Sequence, residues 1–185
     1  IDNITYEYPP LPPNISIDSI DNITNPQDGI KVAQAATIIG KCSPDLANSI
    51  WVFVVPSITG RYYPQYSCEG LGVTKENGKW EIRIGVGAPN ENGNFFDIVV
   101  GSANAAANKD LIDTMNSWCE DNNFPGLEKE SLPDGVTEVD RIGVIRNAEL
   151  FGQAPSIPNS YLPGTISIND IENSAIVPPS RLIHG

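Results

Sequence analysis

The residues that could perform acid–base or nucleophilic chemistry are few in this sequence. His184 is the only histidine, and it lies one residue before the end of the chain. A Ser-His-Asp or Cys-His arrangement would have to use it. A residue so close to a terminus lacks the rigid support that a catalytic site needs. We therefore expect no catalytic residue, no enzyme activity and no zinc site that depends on histidine.

Two acidic residues in strand-like segments are the next candidates for catalysis. Asp97 and Asp140 could in principle form the carboxylate pair of a glycosidase. An isolated acid in a strand more often faces solvent or pairs with an arginine, here Arg83 or Arg141. The stretch 90–94 is rich in oxygen ligands, but it does not match the calcium-binding loop of an EF-hand. We expect no metal site and no cofactor.

The three cysteines allow at most one disulfide within the chain. They are Cys42, Cys68 and Cys119, and their odd number leaves at least one thiol unpaired within the chain. The chain has no Cys-x-x-Cys pair, which disfavours a zinc knuckle or a thioredoxin-like site. We expect a disulfide between Cys42 and Cys68. Three reduced and packed cysteines are the alternative.

Aromatic side chains suggest a second kind of site. Tyr62 and Tyr63 follow Arg61, and their rings could stack on pyranose rings, with Trp51 or Trp80 adding further surface. This pattern suggests a carbohydrate-binding module. The structural alternative is that one tyrosine lies in the core and the other covers a sheet edge, with its hydroxyl reaching a polar partner.

Three glycosylation acceptor triplets lie close together near the start of the chain. They begin at Asn3, Asn14 and Asn22, and all three fall within the first 24 residues. A sugar-coated segment is typical of an extracellular protein. We therefore treat these three asparagines as glycosylation candidates.

Size and charge exclude several classes of partner. The 185 residues can form one substantial core. The net charge is −12, and the 11 basic residues are scattered, which disfavours binding to nucleic acid and to anionic membranes. No apolar run is long enough for a transmembrane helix. The chain begins with Ile1 rather than methionine, so we expect a preceding segment to have been removed and the protein to be at the cell surface or outside the cell.

Apolar periodicity predicts a mostly β architecture. Residues 50–56 are apolar at successive positions, which predicts a strand near the centre of a sheet that is covered on both faces. Residues 80–86 alternate between apolar and polar, as in a strand with one wet face. Asn77-Gly78 predicts the hairpin turn before it. Residues 104–120 have helical spacing, and we expect this helix across one edge or end of the sandwich.

The chain resembles a family of immunoglobulin-like modules from secreted and surface proteins of bacteria and archaea. The residues that carry the resemblance are, in chain order, Asn25-Pro26-x-Asp28-Gly29, Ile39-Gly40, Ile50-Trp51-Val52-x-Val54-x-Pro56, Arg61-Tyr62-Tyr63-Pro64-Gln65, Gly78-x-Trp80, Gly93-x-x-Phe96-Asp97-Ile98, Leu132-Pro133-x-Gly135 and Ile142-x-Val144-x-Arg146. The resemblance implies an antiparallel immunoglobulin-like β-sandwich with one inserted α-helix. It implies no catalytic residues, and such modules usually serve as spacers, adhesive units or assembly units.

The sequence divides into three zones. Residues 1–24 form an extended, proline-rich arm, residues 25–147 form the sandwich, and residues 148–185 form an extension with one or two strands, one of them at 165–168. The arm has apolar side chains but is too short to bury them in a core of its own. This imbalance makes the arm the segment that could contact another chain.

The leading functional hypothesis is a non-enzymatic extracellular structural protein. Ile15, Ile17 and Ile20 of the arm could pair as a strand with a sheet edge of a neighbouring subunit, a contact that would build a filament when repeated. The partners would be copies of the same chain or another surface protein. The arm could instead fold back onto its own sheet, and the functional alternative is a module that binds glycans.

Overall fold

Two five-stranded sheets pack face to face, and one helix lies on the outside of the second sheet. The computed structural model describes residues 14–150, so Asn3, His184 and the strand expected at 165–168 lie outside the described residues. The elements are β1 (Ser16–Ile20), β2 (Ile23–Thr24), β3 (Ile30–Val32), β4 (Ala35–Lys41), β5 (Ser49–Pro56), β6 (Tyr63–Pro64), β7 (Thr74–Glu76), β8 (Lys79–Gly85), β9 (Phe95–Ala103), α1 (Ala105–Asp121), a 3-10 turn (Lys129–Ser131) and β10 (Val136–Arg146). A mostly β sandwich with one helix is therefore observed.

The first sheet, sheet A, has the strand order β2-β1-β4-β8-β7 and is antiparallel throughout. Strands β4 and β8 pair along their whole length, from Ala35 opposite Gly85 to Lys41 opposite Lys79. The turn between β7 and β8 has positive φ at both Asn77 and Gly78, a conformation that these two residue types tolerate. The predicted hairpin is confirmed.

The second sheet, sheet B, has the order β3-β10-β9-β5-β6 and is mixed. Strand β3 runs parallel to β10, and the other neighbouring pairs are antiparallel. The expectation of a wholly antiparallel sandwich is therefore wrong at this edge. The physical reason is that β3 and β10 are far apart in the chain, so no hairpin turn fixes their relative direction.

Strand β5 is buried on both faces, as its sequence predicts. Ile50, Val52 and Val54 face the core between the two sheets. Phe53 and Val55 belong to a second apolar cluster on the opposite face of sheet B. The other members of that cluster include Trp51, Tyr62, Val99, Ala103, Ala107, Leu111 and Met115.

Helix α1 covers the outer face of sheet B. Asn104 caps its first turn, since Asn104 Oδ1 accepts a hydrogen bond from the backbone N–H of Ala107, and Asn122 ends it in the left-handed conformation. Leu111 and Met115 lie on its buried face. The helix is therefore where the sequence places it along the chain. Its expected position across an edge or end of the sandwich is wrong, because the apolar outer face of sheet B needs cover.

Part of the arm belongs to the protein's own sandwich. Strand β1 pairs with β4, and Ile15 and Ile20 are buried in the core between the sheets. Ile17 packs against this core, and its backbone N–H donates to Asp140 Oδ2 at 2.7 Å. The sandwich therefore begins before residue 25. The expectation that Ile15, Ile17 and Ile20 form a strand with a neighbouring subunit is wrong. The physical reason is that these three side chains are already packed in or against the core of their own subunit, so they are not available to a second chain.

The disulfide joins Cys68 to Cys119, with 5.7 Å between the two Cα atoms. It connects the loop after β6 to the end of α1. Cys42 is a buried free thiol in the core between the sheets. The expected pair of Cys42 with Cys68 is wrong, because Cys42 lies among the core side chains while Cys68 lies in the exposed loop beside the helix.

The cysteine pairing has a direct chemical test. We expect alkylation of the unfolded, unreduced protein to label Cys42 alone, because Cys68 and Cys119 are oxidised. Peptide mass mapping would read the labelled site, and the same experiment after reduction would label all three positions. Labelling of Cys119 without prior reduction would contradict the observed connectivity.

Candidate functional site: an open groove at one sandwich edge

A groove with a volume of about 880 Å³ opens between the two sheets on the side of β6 and β8. Its floor consists of core side chains from both sheets, among them Val54, Ile82, Ile84 and Phe96. These side chains are almost fully buried, so the groove reaches down to the apolar interior. A groove of this kind is expected where a sandwich lacks a strand.

Strand β8 presents an open backbone edge to this groove. On its outer side β8 pairs with β7 only over residues 79–81, and none of the other described strands faces Arg83 or Gly85 there. The backbone N–H of Gly85 points away from β4, since it donates to a side chain across the groove. Backbone groups alternate in direction along an antiparallel strand, so those of Arg83 also point to this side.

Sheet B also ends in a short strand beside the groove. Strand β6 pairs with β5 at only two positions, where Pro64 lies opposite Phe53 and Tyr63 lies opposite Val54. Strand β6 is therefore limited to Tyr63 and Pro64. Pro64 has no backbone N–H, which weakens the ladder at its centre.

The rim of the groove carries exposed apolar side chains. Ile58 is 79 % exposed, and Leu71 and Phe124 are each 41 % exposed. Phe124 packs edge to face against Trp118 of α1, which also lines the groove. Because the disulfide ties the loop containing Leu71 to the end of α1, it holds this rim in place. Exposed apolar residues grouped around a cavity are typical of a binding surface.

A second, smaller cavity of about 280 Å³ adjoins the groove and is more polar. Asn48, Lys75 and Asn108 line it together with Tyr66. One face of the Tyr66 ring stacks on Trp51 at a centroid distance of 5.4 Å. The backbone of Gly72 lies so close to the ring that an added Cβ would come within 2.9 Å of it. Trp51 and the backbone of Gly72 therefore both restrict access to the Tyr66 ring.

The two tyrosines proposed as sugar contacts have different environments. Tyr62 is 2 % exposed and packs edge to face against Phe53, so it cannot offer a ring face to a glycan. Tyr63 is partly buried and lines the groove. The structural alternative therefore describes this pair: Tyr62 is a core residue and Tyr63 covers a sheet edge.

Tyr62 also anchors a charged network on the outer side of sheet B. Its hydroxyl donates to Glu138 at 2.5 Å and accepts from Arg141 at 2.8 Å. Arg141 also contacts Asp97 at 2.6 Å. Burial acts to raise the pKa of Glu138, but the hydrogen bonds from Tyr62 and Arg141 outweigh it and lower that pKa below its ordinary value of 4.5. Burial and the neighbouring Glu138 raise the pKa of Tyr62.

Asp97 and Asp140, the acidic residues considered for catalysis, both form structural contacts. Asp97 forms an ion pair with Arg141, as one of the alternatives from sequence predicts. Asp140 accepts the backbone N–H groups of Ile17 and Arg141 and so fastens β1 to sheet B. Within residues 14–150, no three His, Cys, Asp or Glu side chains are grouped as a metal site would require.

Two of the glycosylation candidates lie away from the groove. Asn14 is exposed just before β1, and Asn22 is exposed in the turn between β1 and β2. In sheet A, β4 separates β1 from β8, so both asparagines belong to the side of the sheet opposite the groove. A glycan at either position would leave the groove open.

Comparison with protein-family models and with curated proteins finds no match for this chain. None of the helices within residues 14–150 is both long and apolar enough to cross a lipid bilayer. The functional argument therefore depends on the geometry of the groove.

Sequence reasoning drew attention to Tyr63 and Gln65, and it weighed a sugar-binding surface there against a structural role without predicting a groove. The groove itself arises from strands that stop early, and no residue pattern marks a missing strand. Pro64 indicates only that β6 is an edge strand, because proline is confined to the edges and ends of sheets.

The charged network makes a prediction about pH. We expect Glu138→Gln to lower the free energy of unfolding at pH 7 by about 1–3 kcal/mol. The reason is that the carboxylate accepts one hydrogen bond from the hydroxyl of Tyr62 and one from the guanidinium of Arg141. The folded pKa of Glu138 is depressed, so its stabilising effect is present above the unfolded pKa near 4.5 and is lost as the pH falls through the folded pKa. Urea unfolding of the wild type and of Glu138→Gln at pH 7 and at pH 3 measures the difference in free energy of unfolding at each pH.

The control is Glu130→Gln, which changes an exposed acid in the neighbouring 3-10 turn. It should leave stability nearly unchanged at both pH values. A Glu138→Gln deficit that is equally large at pH 3 would show that the loss comes from packing and not from the carboxylate.

Proposed function

We propose that this protein is a non-enzymatic extracellular structural protein that assembles by taking an extended segment of a second copy into the groove. The observation that supports this proposal is the combination of an open β8 edge with an apolar floor between the sheets. An inserted strand gains hydrogen bonds from the edge and buries alternate side chains on the floor. In this proposal the sandwich is of immunoglobulin-like type, which agrees with its two packed sheets and with the motif order along the chain.

The proposed occupant is the segment formed by residues 1–13 of a second copy. This segment lies outside the described residues, and its sequence has the pattern that the groove needs. Ile4, Tyr6 and Tyr8 occupy alternate positions, so in an extended conformation they share one face. The residues between them are polar and would face away from the floor.

The position of this segment favours another subunit over its own. Residue 14 precedes β1, whose first paired residue lies opposite Lys41, and β4 separates β1 from β8. The run 9–13 contains four prolines, and proline-rich segments are stiff and extended. Fully extended, residues 1–13 span about 40 Å. In this proposal the proline-rich run serves as a spacer that carries Ile4, Tyr6 and Tyr8 to the groove of the next subunit.

Such a contact joins two different surfaces, the donated segment of one subunit and the groove of the next. A contact between unlike surfaces that does not close into a ring propagates as a filament. The disulfide between Cys68 and Cys119 supports an oxidising, extracellular location. The sequons at Asn14 and Asn22 support the same location.

Complementation between two full-length variants tests this proposal. The first variant, Ile4→Ser with Tyr6→Ser and Tyr8→Ser, has a defective segment and an intact groove. The second, Leu71→Glu, has an intact segment and a charge on the rim of the groove. We expect the wild type to form concentration-dependent oligomers, each variant alone to be monomeric, and an equimolar mixture to form a 1:1 complex, because only one productive contact remains.

Sedimentation velocity gives the masses, and electron microscopy shows whether the wild type forms filaments. The matched control is Thr5→Ser with Glu7→Gln, which changes two residues on the opposite face of the segment and preserves the acceptor triplet at Asn3. It should assemble as the wild type does. A wild type that stays monomeric at high concentration would overturn the proposal, as would normal assembly of the first variant.

A further inference from the structure

The side chain of Gln65 bridges the two sheets across the groove. Its Oε1 accepts the backbone N–H of Gly85 in β8 at 2.9 Å. Its Nε2 donates to the backbone carbonyl of Tyr63 in β6 at 3.0 Å. The backbone N–H of Gln65 donates to the carbonyl of Val52 at 2.8 Å, which anchors the residue to sheet B. One amide thus connects the open edges of sheet A and sheet B.

This amide has the same chemistry as a peptide group. A primary amide offers a carbonyl acceptor and an N–H donor, as a backbone peptide unit does. It fills the hydrogen-bonding position of Gly85, which an incoming strand would need in order to extend sheet A. Gln65 borders both the groove and the smaller polar cavity, so it stands in the path of a strand that runs along this edge.

We propose that Gln65 is a placeholder for the inserted strand: its amide satisfies the open edge in the free subunit and must leave when a strand docks. This inference deepens the proposed function and rests on it. In the free subunit the bridge keeps the N–H of Gly85 from pairing with unrelated strands. In the assembled state a backbone carbonyl of the donated segment replaces Gln65 Oε1.

The chemistry of the side chain explains why glutamine suits this role. Glutamate could accept from Gly85, but its carboxylate has no proton to donate to the carbonyl of Tyr63. Alanine would remove both hydrogen bonds. The series Gln65, Gln65→Glu and Gln65→Ala therefore removes the bridge one hydrogen bond at a time.

The test uses the full chain with Ile4, Tyr6 and Tyr8 changed to serine, so that its own segment does not compete. The probe is a labelled peptide with the sequence of residues 1–13. Fluorescence anisotropy measures peptide affinity, and amide hydrogen exchange followed by NMR measures protection of Gly85. In this background we expect Gln65→Ala to speed exchange at Gly85 by about tenfold or more and to tighten peptide binding by about threefold to tenfold, since binding no longer displaces the bridge.

Gln65→Glu should keep the protection of Gly85 and should bind the peptide with intermediate affinity. The control is Gln27→Ala. Gln27 is an exposed glutamine that donates to the carbonyls of Asn25 and Pro26, and it does not line the groove. This substitution should change neither readout.

Each outcome bears on the inference. Unchanged exchange at Gly85 in Gln65→Ala would overturn the bridge itself. Faster exchange with unchanged or weaker peptide binding would overturn the placeholder role and leave the proposed function standing, because the subunit with Gln65 intact still binds. Absence of binding with and without Gln65 would overturn both, whereas binding seen only in Gln65→Ala would support the placeholder.

Discussion

The burial of β5 on both faces is the constraint on which the rest of this structure depends. Val52 faces the interior between the sheets, Phe53 faces the helix layer, and both are fully buried. Burying a side chain of this size contributes about 1.5–3 kcal/mol, so uncovering either face would remove much of the marginal stability of a domain. The second sheet and α1 are therefore both obligatory, and residues 14–150 form three layers, namely two sheets and one helix.

The three layers explain the shape of the open edge. Strand β5 is the last long strand of sheet B, and the two-residue β6 covers only Phe53 and Val54. On the other sheet β7 stops after pairing with the beginning of β8. The floor between them is nevertheless apolar, because Ile82 and Ile84 must face the same core as the rest of sheet A. The floor is apolar because β5 and β8 contribute core side chains along their whole length, whereas β6 and β7 each pair with only part of these strands.

Sequence reasoning succeeded where one residue pattern determines one local structure. Four local patterns were sufficient to predict their elements: the apolar run of β5, the alternation of β8, the turn at Asn77-Gly78 and the helical spacing of α1. It failed where contacts between distant segments decide the outcome. The pairing of Cys68 depends on where α1 lies against sheet B, which helical periodicity does not encode. The position of Ile20 depends on a vacancy in the core that only the assembled sheets define. For the site, the sequence identified the region around Tyr63 but not the groove, since a groove is a property of what two strands leave uncovered.

An open sheet edge above an apolar floor is a hazard as well as a binding surface, because it can pair with any extended chain. The features around this groove limit that risk without closing it. Pro64 interrupts the ladder of β6, and the bridge from Gln65 engages the N–H of Gly85. Charged side chains of both signs, Glu81, Glu91 and Arg83, lie beside the groove. A chain with a net charge of −12 repels its own copies at long range, so only a segment with short, matched contacts overcomes that repulsion. These features favour selective strand addition over indiscriminate aggregation.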